Sequence, residues 1–125
     1  MSENETGETL LGCAFRVHSA LGPGLLESTY EVCLLHELAK AGLATSRQVV
    51  LPVNYDGIEL EAGYRIDLLI EDVVIVEVKS VESLMPIHTA QLLSYLRLSG
   101  RKLGYLLNLN TVHMRQGIKR VVNKL

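Results

Sequence analysis

Aromatic residues are scarce in this chain of 125 residues, which has one Phe and no Trp. The core must therefore be built mainly from Leu, Val, Ile and Ala. Only two cysteines occur, Cys13 and Cys33, and their spacing excludes both a disulfide framework and a CxxC motif. We expect two buried free thiols in a reducing cytoplasm, where the protein would act.

Long apolar runs are also absent. No stretch of about 18 apolar residues occurs, so we expect no membrane-spanning helix and no membrane partner. The first residues are polar and acidic, unlike a signal peptide, and residues 1–5 are expected to form a flexible tail. Because 48% of the residues are apolar, the chain is expected to form a single domain over residues 1–125.

Acidic residues are missing from the last third of the chain. All 14 Asp and Glu lie within residues 1–82 beside five Lys and Arg, which leaves −9; residues 83–125 hold the other seven bases, which leaves +7. This asymmetry is compatible with an ordinary solvated surface or with a basic surface that meets a polyanion. The second alternative makes five residues candidates for phosphate contacts: Arg97, Arg101, Lys102, Lys119 and Arg120.

Hydrophobic spacing predicts the first elements of the chain. Two amphipathic helices are expected over residues 5–20 and 25–41, separated by a Gly-Pro-Gly break. Alternating apolar residues then predict strands over 47–56, 58–70 and 73–80. The proline inside the first of these strands favours an edge strand or a bulge at that point.

The remaining residues predict a crossover. A helix over residues 87–99 is followed by a strand over 102–109, and a helix of this length suits the connection between two parallel strands. Residues 117–123 fit either a short strand or a helical turn. The whole order predicts an α/β fold in which α-helices flank a mixed central β-sheet.

Three charged residues interrupt two of the predicted apolar strands: Asp67 in the second, and Glu77 and Lys79 in the third. Burying neighbouring charges costs several kcal/mol per ion unless something compensates them. Directly opposed residues of an antiparallel pair point to the same face. Asp67 can therefore oppose Glu77 only if a three-residue connection or a bulge replaces a two-residue turn at Glu71-Asp72.

Paired carboxylates of this kind suit Mg²⁺, a hard cation that prefers oxygen ligands and keeps several waters. Asp67 and Glu77 could each supply an oxygen, and the Val78 carbonyl could supply a third. Lys79 shares the face of Glu77 and could neutralise phosphate charge. Glu27 lies on the apolar stripe of the second predicted helix and is expected to point toward the same site. One or two such ions can activate water for phosphodiester hydrolysis.

Three motifs together resemble the PD-(D/E)xK nuclease superfamily. Asp67 is followed, after a gap of about ten residues, by Glu-x-Lys at Glu77–Lys79, with Ile66 at the position of the proline. Gly24–Tyr30 reads GxxExxY, the signature of the GxxExxY protein family within that superfamily. Gln91–Tyr95 looks like the Q-x-x-x-Y element of RecB-type nucleases.

This resemblance covers about residues 8–123 and implies a restriction-endonuclease-like core with a metal-dependent nuclease site. The implied site residues are Glu27, Asp67, Glu77, Lys79, Gln91 and Tyr95. The three acids would bind the metal, the lysine would be catalytic, and the Gln and Tyr would position the water or the phosphate. The expected function is Mg²⁺-dependent hydrolysis of nucleic acid, DNA in preference to RNA, with Mn²⁺ able to substitute.

Two other functions stay open for the same residues. The fold could serve as a nucleic-acid-binding or protein-binding module without turnover, or the acids could form a structural salt-bridge network. The sequence contains no evident specificity segment apart from the predicted core. A second copy of the chain, as a homodimer, or a partner protein could therefore supply missing contacts to DNA.

Overall fold

A computed structural model describes all residues from 1 to 125. Its elements are, in order, α1 (Glu3–Leu21), α2 (Glu27–Lys40), β1 (Thr45–Val50), β2 (Val53–Tyr55), β3 (Ile58–Leu60), β4 (Arg65–Ile70), β5 (Val74–Lys79), α3 (Pro86–Ser99), β6 (Leu103–Asn108) and β7 (Ile118–Val122). A short 3₁₀ turn over Met114–Gly117 precedes β7. None of the helices combines the length and apolar character that crossing a bilayer requires.

Five strands form the main sheet, in the order β1-β4-β5-β6-β7. Neighbouring strands are antiparallel except β5 and β6, which are parallel and are connected through α3. A parallel pair requires a crossover of this kind. The expected fold class is confirmed: a mixed sheet flanked by helices, consistent with a restriction-endonuclease-like α/β fold.

Helices cover both faces of the sheet and create two apolar cores. The larger core includes Tyr30 and Leu34 of α2 together with residues of α1. The smaller core lies under α3 and includes Leu92 and Leu96. We call the side of the sheet that carries the smaller core the α3 face. The sheet is therefore apolar on both sides, as expected for an α/β layer structure.

Side chains of β5 alternate between these two faces. Val76 and Val78 are part of the larger core, whereas Ile75 is part of the smaller one. Because successive residues of a strand point to opposite sides, Glu77 and Lys79 share the α3 face with Ile75. This alternation is the one predicted for the third strand.

Two of the predicted strands are each divided in two, which corrects the expectation of continuous strands over 47–56 and 58–70. Leu51 and Pro52 separate β1 from β2, because a proline has no N–H to donate to the ladder. Residues 61–64 separate β3 from β4. The short strands β2 and β3 pair only with each other. They form a hairpin outside the main sheet.

The ends of the chain also differ in detail from the prediction. α1 begins at Glu3 instead of residue 5, because Ser2 and Glu5 form a capping box in which each side chain accepts a hydrogen bond from the other's amide. The predicted flexible tail over residues 1–5 thus overlaps the first helical turn. Residues 117–123 contain the strand β7, which resolves the alternative left open by the sequence.

Candidate active site

Asp67 and Glu77 lie on the neighbouring antiparallel strands β4 and β5. Three residues connect these strands, and the register pairs Leu68 with Val76. The paired register ends there, and the next residues, Asp67 and Glu77, meet through a hydrogen bond from the Asp67 amide to the Glu77 side chain. The prediction of a three-residue connection or a bulge is confirmed, and this connection brings the two carboxylates together.

The hydrogen-bond ladder between β4 and β5 changes at these acids. The Asp67 backbone N–H donates to Oε2 of Glu77 at 2.8 Å, and the Val78 backbone N–H donates to Oδ2 of Asp67 at 2.8 Å. Each carboxylate thus replaces a carbonyl as the partner of an amide on the opposite strand. These two hydrogen bonds hold the two acids in a defined arrangement.

Side-chain alternation in β4 breaks at the same point. Leu68 belongs to the larger core, whereas Ile66, two residues earlier, belongs to the smaller core on the α3 face. A regular strand would place both on one side of the sheet. Asp67 therefore lies at an irregularity of β4, which frees its carboxylate to reach the Val78 amide.

Burial dominates the electrostatics of this acid pair. Only 4% of Glu77 is exposed. Burial, together with the charge of Asp67, raises the pKa of Glu77 to about 8. Burial likewise raises the pKa of Asp67 above its usual range. Neither carboxylate forms a salt bridge with a lysine or an arginine. Buried acids with raised pKa values are typical of functional sites.

Lys79 supplies a positive charge on the same face as Glu77. It is half-buried at the end of β5, and its ammonium group forms no salt bridge. Burial is the main influence on both acids, and the Lys79 charge acts against it by lowering the pKa of Asp67 and of Glu77. The structure thus brings together Asp67, Glu77 and Lys79.

Glu27, at the start of α2, lies next to the residue that follows Lys79. Its Oε2 accepts a hydrogen bond from the Ser80 backbone amide at 3.2 Å, and Ser80 Oγ donates to the Leu25 carbonyl at 2.6 Å. Glu27 is exposed and borders a groove of about 390 Å³. It joins the start of α2 to the segment after β5, and neither acid of the pair borders the groove that it lines.

A second α2 carboxylate, Glu31, faces the acid pair. The sequence motifs did not identify it as a site residue. Glu31 is only 5% exposed. The Gln48 side chain links it to the pair, because Nε2 donates to Glu31 Oε1 at 3.0 Å and to Asp67 Oδ1 at 3.4 Å. Burial is the first cause of the raised pKa values of Asp67 and Glu77, and the charge of Glu31 raises both further.

The sequence did contain a signal for Glu31. It precedes Leu34 by three positions and Leu38 by seven, which is the same spacing that places Glu27 on the stripe with Tyr30 and Leu34. The two glutamates differ in depth, since α2 buries Glu31 and leaves Glu27 at its exposed first turn. Glu31 also accepts a hydrogen bond from Arg47 Nε at 2.7 Å, which compensates its charge.

Backbone strain is present beside the acid pair. Gln48 has a φ of +52°, although it lies within β1. The register of β1 with β4 pairs Arg47 with Leu68 and Val49 with Ile66, and it omits Gln48 and Asp67. A left-handed conformation costs a residue such as glutamine roughly 1–3 kcal/mol. Strain of this kind clusters at functional sites, and here it lets the Gln48 amide reach two carboxylates.

Gln91 and Tyr95 of α3 lie on the other side of the acids. Gln91 Nε2 donates to the Tyr95 hydroxyl at 3.3 Å. Burial, followed by the charges of Glu77 and Asp67, raises the pKa of Tyr95, so its ring lies within the field of the pair. Both residues line a groove of about 430 Å³ between α3 and the β2–β3 side of the molecule.

The five basic candidates do not form one surface with the acids. Arg97 lies in the last turn of α3 and Lys102 directly precedes β6, whose first residue pairs with Val74 at the start of β5. They therefore lie at the opposite end of the sheet from Lys79. Arg101 lies there as well and is bound to Asp72 at 2.7 Å.

The last two candidates are on the edge strand β7. Arg120 donates to Asn4 of α1 at 2.7 Å, on the side opposite the α3 face. Lys119 pairs with Leu106, which in turn pairs with Glu77. Lys119 is thus level with Glu77 on the same face, two strands or about 10 Å away. Only this one of the five stands level with the acid pair.

The acid pair has the chemistry to bind a divalent metal, but the number of ligands that converge there is too small. Glu77 is buried and Asp67 is half-buried, neither forms a salt bridge, and such oxygen donors suit a hard divalent ion. The Val78 carbonyl belongs to the residue whose amide binds Asp67. However, no three His, Cys, Asp or Glu side chains converge closely enough to hold a metal ion. A metal would require a rearrangement of at least one further carboxylate.

Comparison with known proteins gives one match. The family model described as the PD-(D/E)XK nuclease superfamily matches residues 4–121, nearly the whole chain. No curated protein gives a significant match. No solved structure does so either.

Proposed function

The chain belongs to the PD-(D/E)XK nuclease superfamily, and on this basis we propose that it hydrolyses phosphodiester bonds of nucleic acid with the help of a divalent metal ion. Nucleases of this superfamily generally use divalent metals and act on nucleic acid. For this chain we propose Mg²⁺, replaceable by Mn²⁺, and DNA in preference to RNA. We also propose that residues 1–125 are one domain acting in the cytoplasm.

The observation that carries this proposal is the acid pair of buried Glu77 and half-buried Asp67, with Lys79 on the same face as Glu77. Asp67 and Glu77 lie on the neighbouring strands β4 and β5 and are joined by a hydrogen bond, and both have raised pKa values because of burial. Holding two acids in this way without a salt bridge is unfavourable for stability, and function is the usual reason for keeping them.

Each residue of the site has a proposed role. Asp67, Glu77 and the Val78 carbonyl would bind the metal, which would supply charge neutralisation and an activated water. Lys79 stabilises the negative charge that develops on the phosphate. Tyr95 and Gln91, linked by their own hydrogen bond, position the water or the phosphate from the α3 side.

The α2 ligand is proposed to be Glu27, and Glu31 is the competing candidate. Glu27 binds the Ser80 amide and is exposed, so it can move without breaking a buried contact. Glu31 is already linked to Asp67 through Gln48, but Arg47 and Gln48 occupy its oxygens. A carboxylate that is free to move is the better source for the additional ligand that the site requires.

We propose that the chain is a GxxExxY-type member of the superfamily. The last residue of that motif, Tyr30, is fully buried. Its hydroxyl donates to the Gly22 carbonyl at 2.6 Å and accepts from the Leu25 amide at 3.1 Å. The motif tyrosine therefore holds the loop from which α2 and Glu27 begin, which gives the motif a physical role.

A cleavage assay tests the function. Labelled single-stranded and double-stranded DNA and RNA are incubated with Mg²⁺ or Mn²⁺ and with wild type, Asp67→Ala or Lys79→Ala. We expect each variant to lose at least about a hundredfold in rate, because each removes a group that acts on the transition state. Glu59→Ala, at an exposed acid of β3, should match wild type. Equal rates in all four proteins would refute the proposal.

Calorimetric titration with Mn²⁺ separates the two α2 candidates. Glu27→Gln should weaken Mn²⁺ binding about tenfold or more, whereas Glu31→Gln should change it by less than about threefold. The reverse order would make Glu31 the ligand.

A non-catalytic binding module is the second candidate function. The observation in its favour is that no three metal-ligating side chains converge in the structure. It predicts nucleic-acid binding that is unchanged by Asp67→Ala and no cleavage with either metal.

A further inference from the structure

The groove beside Tyr95 is distinct from the acid pair in its chemistry. Its eight lining residues include no Lys, Arg, Asp or Glu. On one side it is formed by one face of α3, including His88, Gln91 and Ser94, and on the other by Val53 and Tyr64. A neutral, partly apolar groove beside a site for phosphodiester hydrolysis suits a part of the substrate that carries no charge.

We propose that this groove binds one unpaired nucleobase of the substrate, next to the phosphate that is cleaved. The inference rests on the proposed function, because it takes the acid pair as the point of cleavage. The nucleobase is the uncharged part of a nucleotide, and a groove of about 430 Å³ has room for one. The substrate would therefore be single-stranded, or unpaired at the nucleotide beside the cut.

Two tyrosines form the stacking platform for the base. The rings of Tyr64 and Tyr95 have centroids 6.1 Å apart and planes at 62° to each other, so they make a corner. Tyr95 is buried and forms its inner wall, whereas Tyr64 is 43% exposed. A base can stack on the open Tyr64 ring while its edge meets the second ring. Stacking of this kind tolerates any base, because every base has a π-face.

Free polar atoms on α3 can contact the edge of the base. Gln91 uses its amide nitrogen for Tyr95, which leaves Oε1 as an acceptor. His88 Nδ1 accepts from the Met85 amide at 2.9 Å, so the ring proton is on Nε2, which can donate. Ser94 has an exposed hydroxyl. The stacking platform is therefore bordered by a donor on His88, an acceptor on Gln91 and a hydroxyl on Ser94 that can do both.

The groove adjoins the strands of the acid pair through Tyr95. Tyr95 lines the groove and also packs in the smaller core with Ile66 and Ile75, which lie just before Asp67 and Glu77 on β4 and β5. A base in the groove would thus place its own backbone phosphate near the carboxylates. This continuity favours a nucleobase over a peptide or a second copy of the chain.

Binding is tested in EDTA, so that cleavage does not interfere. The probe is a fluorescently labelled 12-nucleotide oligo(dT), compared with the same strand containing abasic nucleotides at its centre and with a duplex. Tyr64→Leu should weaken oligo(dT) binding about tenfold, within the range that loss of one stacked base produces. Tyr64→Phe keeps the ring and should bind within about twofold of wild type.

The matched control is Tyr55→Leu. Tyr55 is 71% exposed on β2 and does not line the groove, so its loss should leave binding within about twofold. Abasic nucleotides should weaken binding to wild type but not further to Tyr64→Leu, since both changes remove the same contact. Because the chain has no Trp, quenching of tyrosine fluorescence by oligo(dT) provides a second measurement.

Several outcomes would overturn the inference: no binding of oligo(dT), equal binding of intact and abasic strands, or unchanged affinity in Tyr64→Leu. A change of oligomeric state in Tyr64→Leu instead of a change in affinity would also overturn it and assign the groove to a second copy. Tyr64-dependent binding without metal-dependent cleavage would support the base site while refuting nuclease activity. Cleavage without Tyr64 dependence would do the reverse.

Discussion

At the scale of single residues, Asp67 and Glu77 show how a carboxylic acid can be kept at an unfavourable place in a stable sheet. Each binds an amide of the opposite strand, so their oxygens are not left without partners. The charge itself is not compensated by a salt bridge. The fold therefore satisfies the hydrogen bonds of this pair without a salt bridge, and burial together with the Asp67 charge raises the pKa of Glu77 to about 8.

We predict that unfolding becomes easier as the pH rises from about 4.5 to about 8 in the absence of metal. Burial and the Asp67 charge raise the folded-state pKa of Glu77 to about 8, against an ordinary value of 4.5. Between these values the unfolded chain releases a proton that the folded protein keeps, so the unfolded state gains stability. The fall should be on the order of 3 kcal/mol.

Urea denaturation in EDTA at pH 5 and pH 8 measures this effect. Glu77→Gln cannot titrate and should show a much smaller loss between the two pH values. Glu59→Gln, at an exposed position of β3, should follow wild type. If Glu77→Gln and wild type lose the same stability, Glu77 ionises normally in the fold.

At the scale of elements, the end of β6 positions the segment that carries Lys79. Asn108 pairs with Lys79, and the Leu109 amide donates to the Lys79 carbonyl at 3.1 Å. The buried Asn108 side chain also binds both the amide and the carbonyl of Val81. The parallel β5–β6 pair therefore holds the chain on both sides of Ser80, where Glu27 attaches.

Gly117→Ala should damage this arrangement. A Cβ at Gly117 would lie 1.9 Å from the backbone oxygen of Asn108, so the backbone would have to shift. We expect a loss of about 2–4 kcal/mol in the free energy of unfolding, as for other overpacked sites.

Gly12→Ala is the matched control within α1. A Cβ there would meet only the end of the Arg16 side chain at 3.6 Å. Alanine is the better helix former, so this variant should gain about 0.5–1 kcal/mol. Urea denaturation measures both variants, and a Gly117→Ala protein as stable as wild type would contradict the close approach.

At the scale of the whole molecule, the acid pair and three of the five basic candidates lie at different ends of the sheet. The acid pair lies toward the end of β5, whereas Arg97, Arg101 and Lys102 lie around the start of β6. Because β5 and β6 are parallel, these are opposite ends. Of the five basic residues predicted to contact phosphate, Lys119 is therefore the best candidate, because it stands level with Glu77.

Lys119→Ala should weaken the binding of oligo(dT) in EDTA and lower the slope of log affinity against log salt by about 0.7, the value for one lost contact to single-stranded nucleic acid. Lys102→Ala removes the same charge at the far end and should change neither the affinity nor the slope. Anisotropy titrations between low and moderate KCl measure both. Equal effects of the two substitutions would show that only net charge matters.

The sequence by itself determined the order of helices and strands, because apolar periodicity depends on neighbours a few residues apart. It also determined that Asp67 could oppose Glu77, since the length of the short connection between adjacent strands sets the register. The fold class follows from these local patterns, and the superfamily was indicated by the resemblance of three short motifs. Even Glu31 could have been found by its spacing on α2.

Only the tertiary structure decided which of these residues meet. It separated β2 and β3 into their own hairpin, placed Glu31 and Gln48 beside Asp67, and opened the groove between Tyr64 and α3. It also places Arg101 and Lys102 far from the acid pair, although the uneven distribution of charge along the sequence had grouped them with Lys119. The reason is that these contacts join segments far apart in the chain, and they depend on strand order and helix packing that no local pattern specifies.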